Sequence, residues 1–189
     1  GCRNMWVMAH EKTKKLFMDL EVQYVGNIVL ADRNLNHISV ITIAHWLMGG
    51  KKTRYLGFFP MPGISQKDID EAVKFGEPIR NALLKGNFTD LQQILLEEGA
   101  IHIKPFLITV DRRANVLFGK WANFIAKKGG PGETKRLKWV KLFKYYLFFA
   151  IWAIAPIVFI LFLLTFLPML SRIKKEKTYY SSVELNRIK

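Results

Sequence analysis

The residues Gly1-Cys2-Arg3-Asn4-Met5-Trp6 place a turn-forming glycine, a thiol, a guanidinium, an amide and two large apolar side chains in six positions. At the start of a helix, such a loop aims backbone N–H groups at an anion, Arg3 and Asn4 can pair with it, and Met5 and Trp6 can cover a planar ring. That is cofactor-binding chemistry. The bland reading of the same residues is a glycine turn followed by a tryptophan buried at a helix start. His10, His37, His45 and His102 have no metal-ligand spacing with carboxylates or cysteine, so no metal site is expected. Cys2 is the single cysteine, which excludes a disulfide framework and fits a reducing compartment. Asp32-Arg33-Asn34 reads either as a ligand loop or as a local salt-bridged turn. No Walker sequence, GxGxxG or Ser-His-Asp pattern occurs, and no catalytic acid or base can be assigned.

These residues need elements to hold them. Met5, Met8, Ala9, Thr13, Leu16, Phe17 and Leu20 recur at helical spacing, predicting a surface helix with that stripe buried and Glu11, Lys12, Lys14, Lys15 and Asp19 in water. Tyr24 to Leu30 (YVGNIVL) is a short apolar run that reads as a buried strand, so helix and strand together suggest one unit of an α/β sheet. Ser39 to Met48 before Gly49-Gly50 suits a helix, although its β-branched residues also suit a strand. Ser65-Gln66-Lys67-Asp68 resembles a capping box opening a helix to about Leu84, with Pro78 expected to kink or shorten it. Thr89 is the expected cap of a short helix ending at Gly99, Ile101 to Val110 an extended connection because of Pro105, and Trp121 to Ile125 part of a helix.

Between Tyr145 and Ser171 the chain runs 27 residues without a charged side chain. At about 1.5 Å per residue that run is about 40 Å long as a helix, against a hydrocarbon core of about 30 Å. The basic charge collects beside it: 13 of the 29 Lys/Arg but only 3 of the 15 Asp/Glu fall in residues 127–189. A net charge of +14 placed this way fits anionic headgroups, and no basic and aromatic pattern of a nucleic-acid module accompanies it. Pro156 lies at the middle of the run. Three arrangements fit: a single kinked span, a hairpin turning at Pro156, or a hairpin buried in a soluble oligomer. Basic residues on both flanks give no inside–outside asymmetry.

The phrases Gly1 to Trp6, VGNIVLADR (Val25 to Arg33), SVITIAHWLMGGKK (Ser39 to Lys52) and GFFPMPGIS (Gly57 to Ser65) resemble the second half of flavodoxin-like NAD(P)H-dependent oxidoreductases. Within that group the nearest likeness is to dialkylresorcinol condensing enzymes, including the tail through Lys174 to Tyr180. The resemblance implies an α/β fold, the C-terminal half of a doubly wound parallel sheet, followed by a membrane helix or helical hairpin. Residues 1–128 would be the flavodoxin-like part with a helical extension, 129–144 a Gly/Pro and basic linker, 145–171 the membrane segment and 172–189 a basic tail. The chain, starting at Gly1 with no leader, reads as the downstream part of something longer.

The resemblance further implies FMN, possibly with NAD(P)H, bordered by Gly1, Cys2, Arg3, Asn4, Met5 and Trp6, and a ketosynthase-like partner. The implied role is oxidation of an alkylated ring in dialkylresorcinol or flexirubin-type pigment synthesis, at a membrane, with the domain facing the cytoplasm. A non-catalytic membrane-anchored scaffold or binding protein is the alternative.

Overall fold

The computed structural model describes residues 5–186, apart from the side chains of Leu47 and Met48. Among the described residues the fold is all-helical, without a strand, so the expected parallel sheet of a flavodoxin-like domain is not there. The reason lies in the Tyr24 to Leu30 run. It forms neither helix nor strand, and its apolar side chains are partly buried on two sides, chiefly by helices. Val25, Ile28 and Leu30 pack on Phe75, Ala82, Leu91 and Leu95, while Val29 and Ala31 pack on Trp6, Ile108 and Tyr180. A backbone buried in this way must satisfy its polar groups. Here the Gln92 side chain accepts from Asn27 N at 2.7 Å, and Val29 N donates to the Ala100 carbonyl at 2.8 Å. A side chain and one crossing segment thus replace the neighbouring strands of a sheet.

Helix α1 (Val7–Asp19) precedes this segment and α2 (Asn36–Gly49) follows it. Helix α2 stops at Gly50 in the left-handed conformation (φ 67°), the expected glycine stop. Ser65 caps α3 (Gln66–Asp70) by accepting from Asp68 N at 3.1 Å, as its spacing predicts. A 3₁₀ turn over Glu71–Phe75 then leads into α4 (Gly76–Lys85), so Pro78 falls in a first turn, where a missing N–H costs little. Helix α5 (Leu91–Glu97) begins after Asp90 rather than at Thr89.

The Ile101 to Val110 segment is extended only to Lys104. Pro105 opens α6 (Pro105–Ala126), a helix of 22 residues, because proline at a first helical position has no N–H to lose and its fixed φ suits the helix. Helix α6 is the spine of the molecule. Helix α7 (Thr134–Phe149), a π turn (Ala150–Ile154) and α8 (Ala155–Leu164) make one continuous helix of 31 residues that runs antiparallel along α6. Phe124 meets Trp139 at 5.0 Å between ring centres and Trp121 meets Tyr146 at 5.1 Å, while Phe106, at the other end of α6, meets Phe159 at 4.9 Å.

Pro156 therefore does not reverse the chain. Its ring would press on the carbonyl four residues earlier, and a π turn immediately before it widens the helix at that place. Ala155 N donates to the Ala150 carbonyl, five residues back. The Ile151 carbonyl is then approached from outside by His37 Nε2 of α2 at 3.2 Å, with the His37 ring against Trp152. The helix ends at Leu164; Thr165 to Met169, with Pro168, form a turn, and α9 (Leu170–Ser181) packs on α6.

Candidate functional site

Of the predicted cofactor loop, Gly1, Cys2, Arg3 and Asn4 lie outside the described residues. Met5 and Trp6 are described, and Trp6 is a core residue. It is 6% exposed, packed edge-on against Tyr180 at 6.2 Å and tilted against His10 at 5.6 Å. The gap between Met5, Trp6, Ile103, Leu107 and Ile108 measures about 10 Å³. One water needs about that much, so these residues do not fit an isoalloxazine ring.

The buried face of α1 also differs from its apolar stripe. Leu16 and Leu20 are exposed, whereas Lys14 is 1% exposed. The chain's own tail is what draws Lys14 inward. Its Nζ donates to the Glu184 carbonyl at 2.6 Å and lies 3.8 Å above the Tyr179 ring. Burial lowers the Lys14 pKa, against the opposing pull of Glu11 and Glu184. One turn earlier, His10 Nε2 is 2.9 Å from the Tyr24 hydroxyl. Burial, with Lys14 adding repulsion, takes His10 down to about 4, and burial pushes Tyr24 up to about 12. Both are therefore uncharged near neutral pH. Tyr180 is fully buried between Trp6, Tyr179 and Ile108.

Polar bonds fix the same tail elsewhere. Arg112 of α6 donates to Glu176 at 2.7 Å, and Arg172 donates to the same carboxylate oxygen at 3.1 Å. Burial opposes the Arg112 charge, but Tyr180 and Glu176 more than offset it and raise the pKa. Gln92 Nε2 donates to the Ser181 carbonyl at 2.8 Å. Asp111 accepts from Met8 N at 3.0 Å, joining α6 to the start of α1. None of these pairings was legible beforehand. The available signals were a lone Glu176 among Lys174, Lys175 and Lys177, and a Tyr-Tyr pair at the end of a basic tail.

Asp32-Arg33-Asn34 forms a local turn, with Asp32 Oδ1 accepting from both the backbone N and the side-chain Nδ2 of Asn34 at 2.9 Å. Arg33 pairs instead with the distant Asp68 at 2.8 Å. Among the described residues no three His, Cys, Asp or Glu side chains gather as a metal site would require. A groove of about 550 Å³ beside α4 and α5 is lined by Lys74, Glu77, Lys85, Asp90 and Glu98, a mixture of both signs on an open surface.

The largest unpaired feature is apolar. Along the helix Thr134–Leu164, Phe148, Phe149, Ile157, Ile160, Leu161 and Leu164 are exposed, and only 6% of its most apolar stretch is buried. The helix is long and apolar enough to cross a membrane. Lys138, Lys141 and Lys144 stand exposed before that surface and Lys174, Lys175 and Lys177 after it. An apolar patch of this extent rimmed by cations has the character of a lipid contact.

No family model, curated protein or solved structure matches the chain.

Proposed function

We propose that the protein works at a membrane surface in the synthesis of an alkylated ring lipid of the dialkylresorcinol class, the helical body lying on the cytoplasmic side. The observation that carries this reading is the exposed apolar surface of α7 and α8 between two clusters of lysines. A ring bearing long alkyl chains partitions into lipid, so a protein seated on the bilayer meets it at high local concentration. The chemistry implied by the sequence phrases is an oxidoreductase step, with FMN or NAD(P)H supplied in a way the described part of the predicted loop does not provide for.

A second reading is favoured by a specific observation. Trp6 is spent on the core, its ring engaged by Tyr180 and His10. A membrane-anchored scaffold, holding the lipid or a ketosynthase-like partner without catalysing a reaction, makes no demand on that loop.

One preparation separates the two. The purified chain is floated with phosphatidylcholine–phosphatidylglycerol vesicles carrying a dialkyl cyclohexanedione-type precursor, then supplied with FMN. Flavin that stays with the protein and oxidation of the ring to its aromatic form support the enzyme. A vesicle-bound protein that takes up no flavin and leaves the ring unchanged supports the scaffold. Failure to float sinks both.

A further inference from the structure

Membrane association leaves open how the apolar helix meets the bilayer, and the packing around it constrains the answer. Helix α6 runs beside the apolar helix for most of its length. Phe106 and Phe118 of α6 touch Phe159 and Phe143. Between those two contacts α6 carries Asp111, Arg112 and Arg113, at the level of the π turn and Pro156. If Ala150–Leu164 spanned the bilayer in this packed form, those three ionisable residues would lie at hydrocarbon depth, where charge is strongly disfavoured. Asp111 would also pull down the first turn of α1, to which it is bonded through Met8 N.

The tail gives an independent constraint. After the turn at Thr165 to Met169 the chain returns to the helical body from which α6 came. Arg112–Glu176 at 2.7 Å, Gln92 to the Ser181 carbonyl at 2.8 Å and Lys14 to the Glu184 carbonyl at 2.6 Å fix α9 to α6, α5 and α1 in turn. Segments on opposite faces of a membrane cannot make these bonds.

We infer that α7 and α8 enter a single leaflet from one side, lying along its surface with α6 above them. Exposed Phe148, Phe149, Ile157, Ile160 and Leu164 then reach the acyl chains. Lys138, Lys141 and Lys144 at one end and Lys174, Lys175 and Lys177 at the other meet the same layer of anionic headgroups. The basic flanks that give no inside–outside asymmetry are in this geometry two ends of one cationic rim. This inference rests on the membrane reading above and specifies its form.

The test uses the full chain in a Cys2→Ser background, with one reporter cysteine at a time: Lys85→Cys on the helical body or Thr178→Cys on α9, both at exposed positions. Each variant is bound to sealed phosphatidylcholine–phosphatidylglycerol vesicles, recovered by flotation, and treated with a membrane-impermeant maleimide. The expected result is that both cysteines label from outside to within about twofold of each other, and that detergent adds nothing. A tail cysteine that labels only after detergent, while Lys85→Cys labels before it, overturns the inference and establishes a span. In either case the protein has floated, so a failure of membrane association itself is seen separately, as protein left at the bottom of the gradient. A further variant, Arg112→Met with Glu176→Met, removes the ion pair and leaves no buried charge unpaired, since Arg172, the other partner of Glu176, is largely exposed. Equal labelling should persist in it, and loss of outside labelling at the tail would also overturn the one-sided arrangement.

Discussion

Helix α6 packs against two groups of helices whose surroundings differ. On one side, α1 and α9 bury a lysine, two tyrosines and an Arg–Glu pair, held by specific polar contacts. On the other, α7 and α8 leave phenylalanines, isoleucines and leucines in the open, joined to α6 chiefly by ring contacts. Both depart from an ordinary soluble domain: a few charges are buried within an otherwise apolar core, and a long apolar helix is left outside it. Buried charge is tolerated where specific partners compensate it, and exposed hydrocarbon where the surrounding medium is lipid. The first side should therefore respond to changes in folding stability, the second to changes in the membrane, and substitutions can be chosen to separate them.

The largest effect is expected from Tyr180→Ala. The ring is fully buried against Trp6 and Tyr179. Its loss leaves a cavity and should cost about 4 kcal/mol of stability. Urea denaturation measures this, and proteolysis should now cut within 182–186. A midpoint within error of the parent would mean that the tail is not docked. Ile157→Lys is the converse. Ile157 is 55% exposed on the outer side, so stability in water should change by no more than about 0.5 kcal/mol. Vesicle partitioning should fall by about 2 kcal/mol, about thirtyfold, because lysine then enters the acyl layer of one leaflet, short of the bilayer centre. Flotation that is unchanged would remove Ile157 from the lipid contact.

How much of this was readable depends on which side is considered. The outer side was legible: an uncharged run with basic ends can be read without knowing what packs where. Its interruption was not, because a mid-helix proline reads as a breaker, and the π turn that accommodates it draws on His37, 114 residues away. The inner side was misread, and for a consistent reason. Tyr24 to Leu30 has the composition of a two-sided strand, but composition reports only that both sides are covered, and helices cover it. On α1 the apolar period assigned Lys14 to solvent, and a carbonyl 170 residues later brought it inside. Pro105 marked an extended segment by rule and opened a helix in fact. Of the predicted loop, the only described side chains are Met5 and Trp6, and Trp6 is taken by an aromatic from the far end of the chain.

His10 sharpens the contrast through pH. Its pKa is held at about 4 against an ordinary 6.5, so between those values the unfolded chain binds a proton that the folded chain refuses. Stability should be full above pH 6.5 and decline as the pH falls toward 4. The shift corresponds to at most about 3 kcal/mol and, with solvent screening, about 2 kcal/mol. Thermal melts of the parent against His10→Phe should show the acid-side slope only in the parent. Equal slopes would place the acid sensitivity elsewhere. Vesicle binding, governed by the other side of α6, should not follow this curve.

The smallest effect tests the cationic rim. Lys174 and Lys175 are exposed on α9, in no ion pair among those of the described residues. Replacing either with Gln should leave the melting curve unchanged, since neither side chain supports the fold. If the helix lies along one leaflet, each sits within a Debye length of the headgroups, and each should contribute about 1 kcal/mol on anionic vesicles. The same substitutions at Lys141 and Lys144 should cost a similar amount, because both clusters then meet one lipid layer. The effect must vanish on pure phosphatidylcholine and shrink at high salt. A span predicts a different pattern on vesicles anionic in the outer leaflet only: one cluster would be sensitive to lipid charge and the other not. Asymmetric vesicles therefore resolve by a difference of about fivefold in binding what the folding measurements cannot detect.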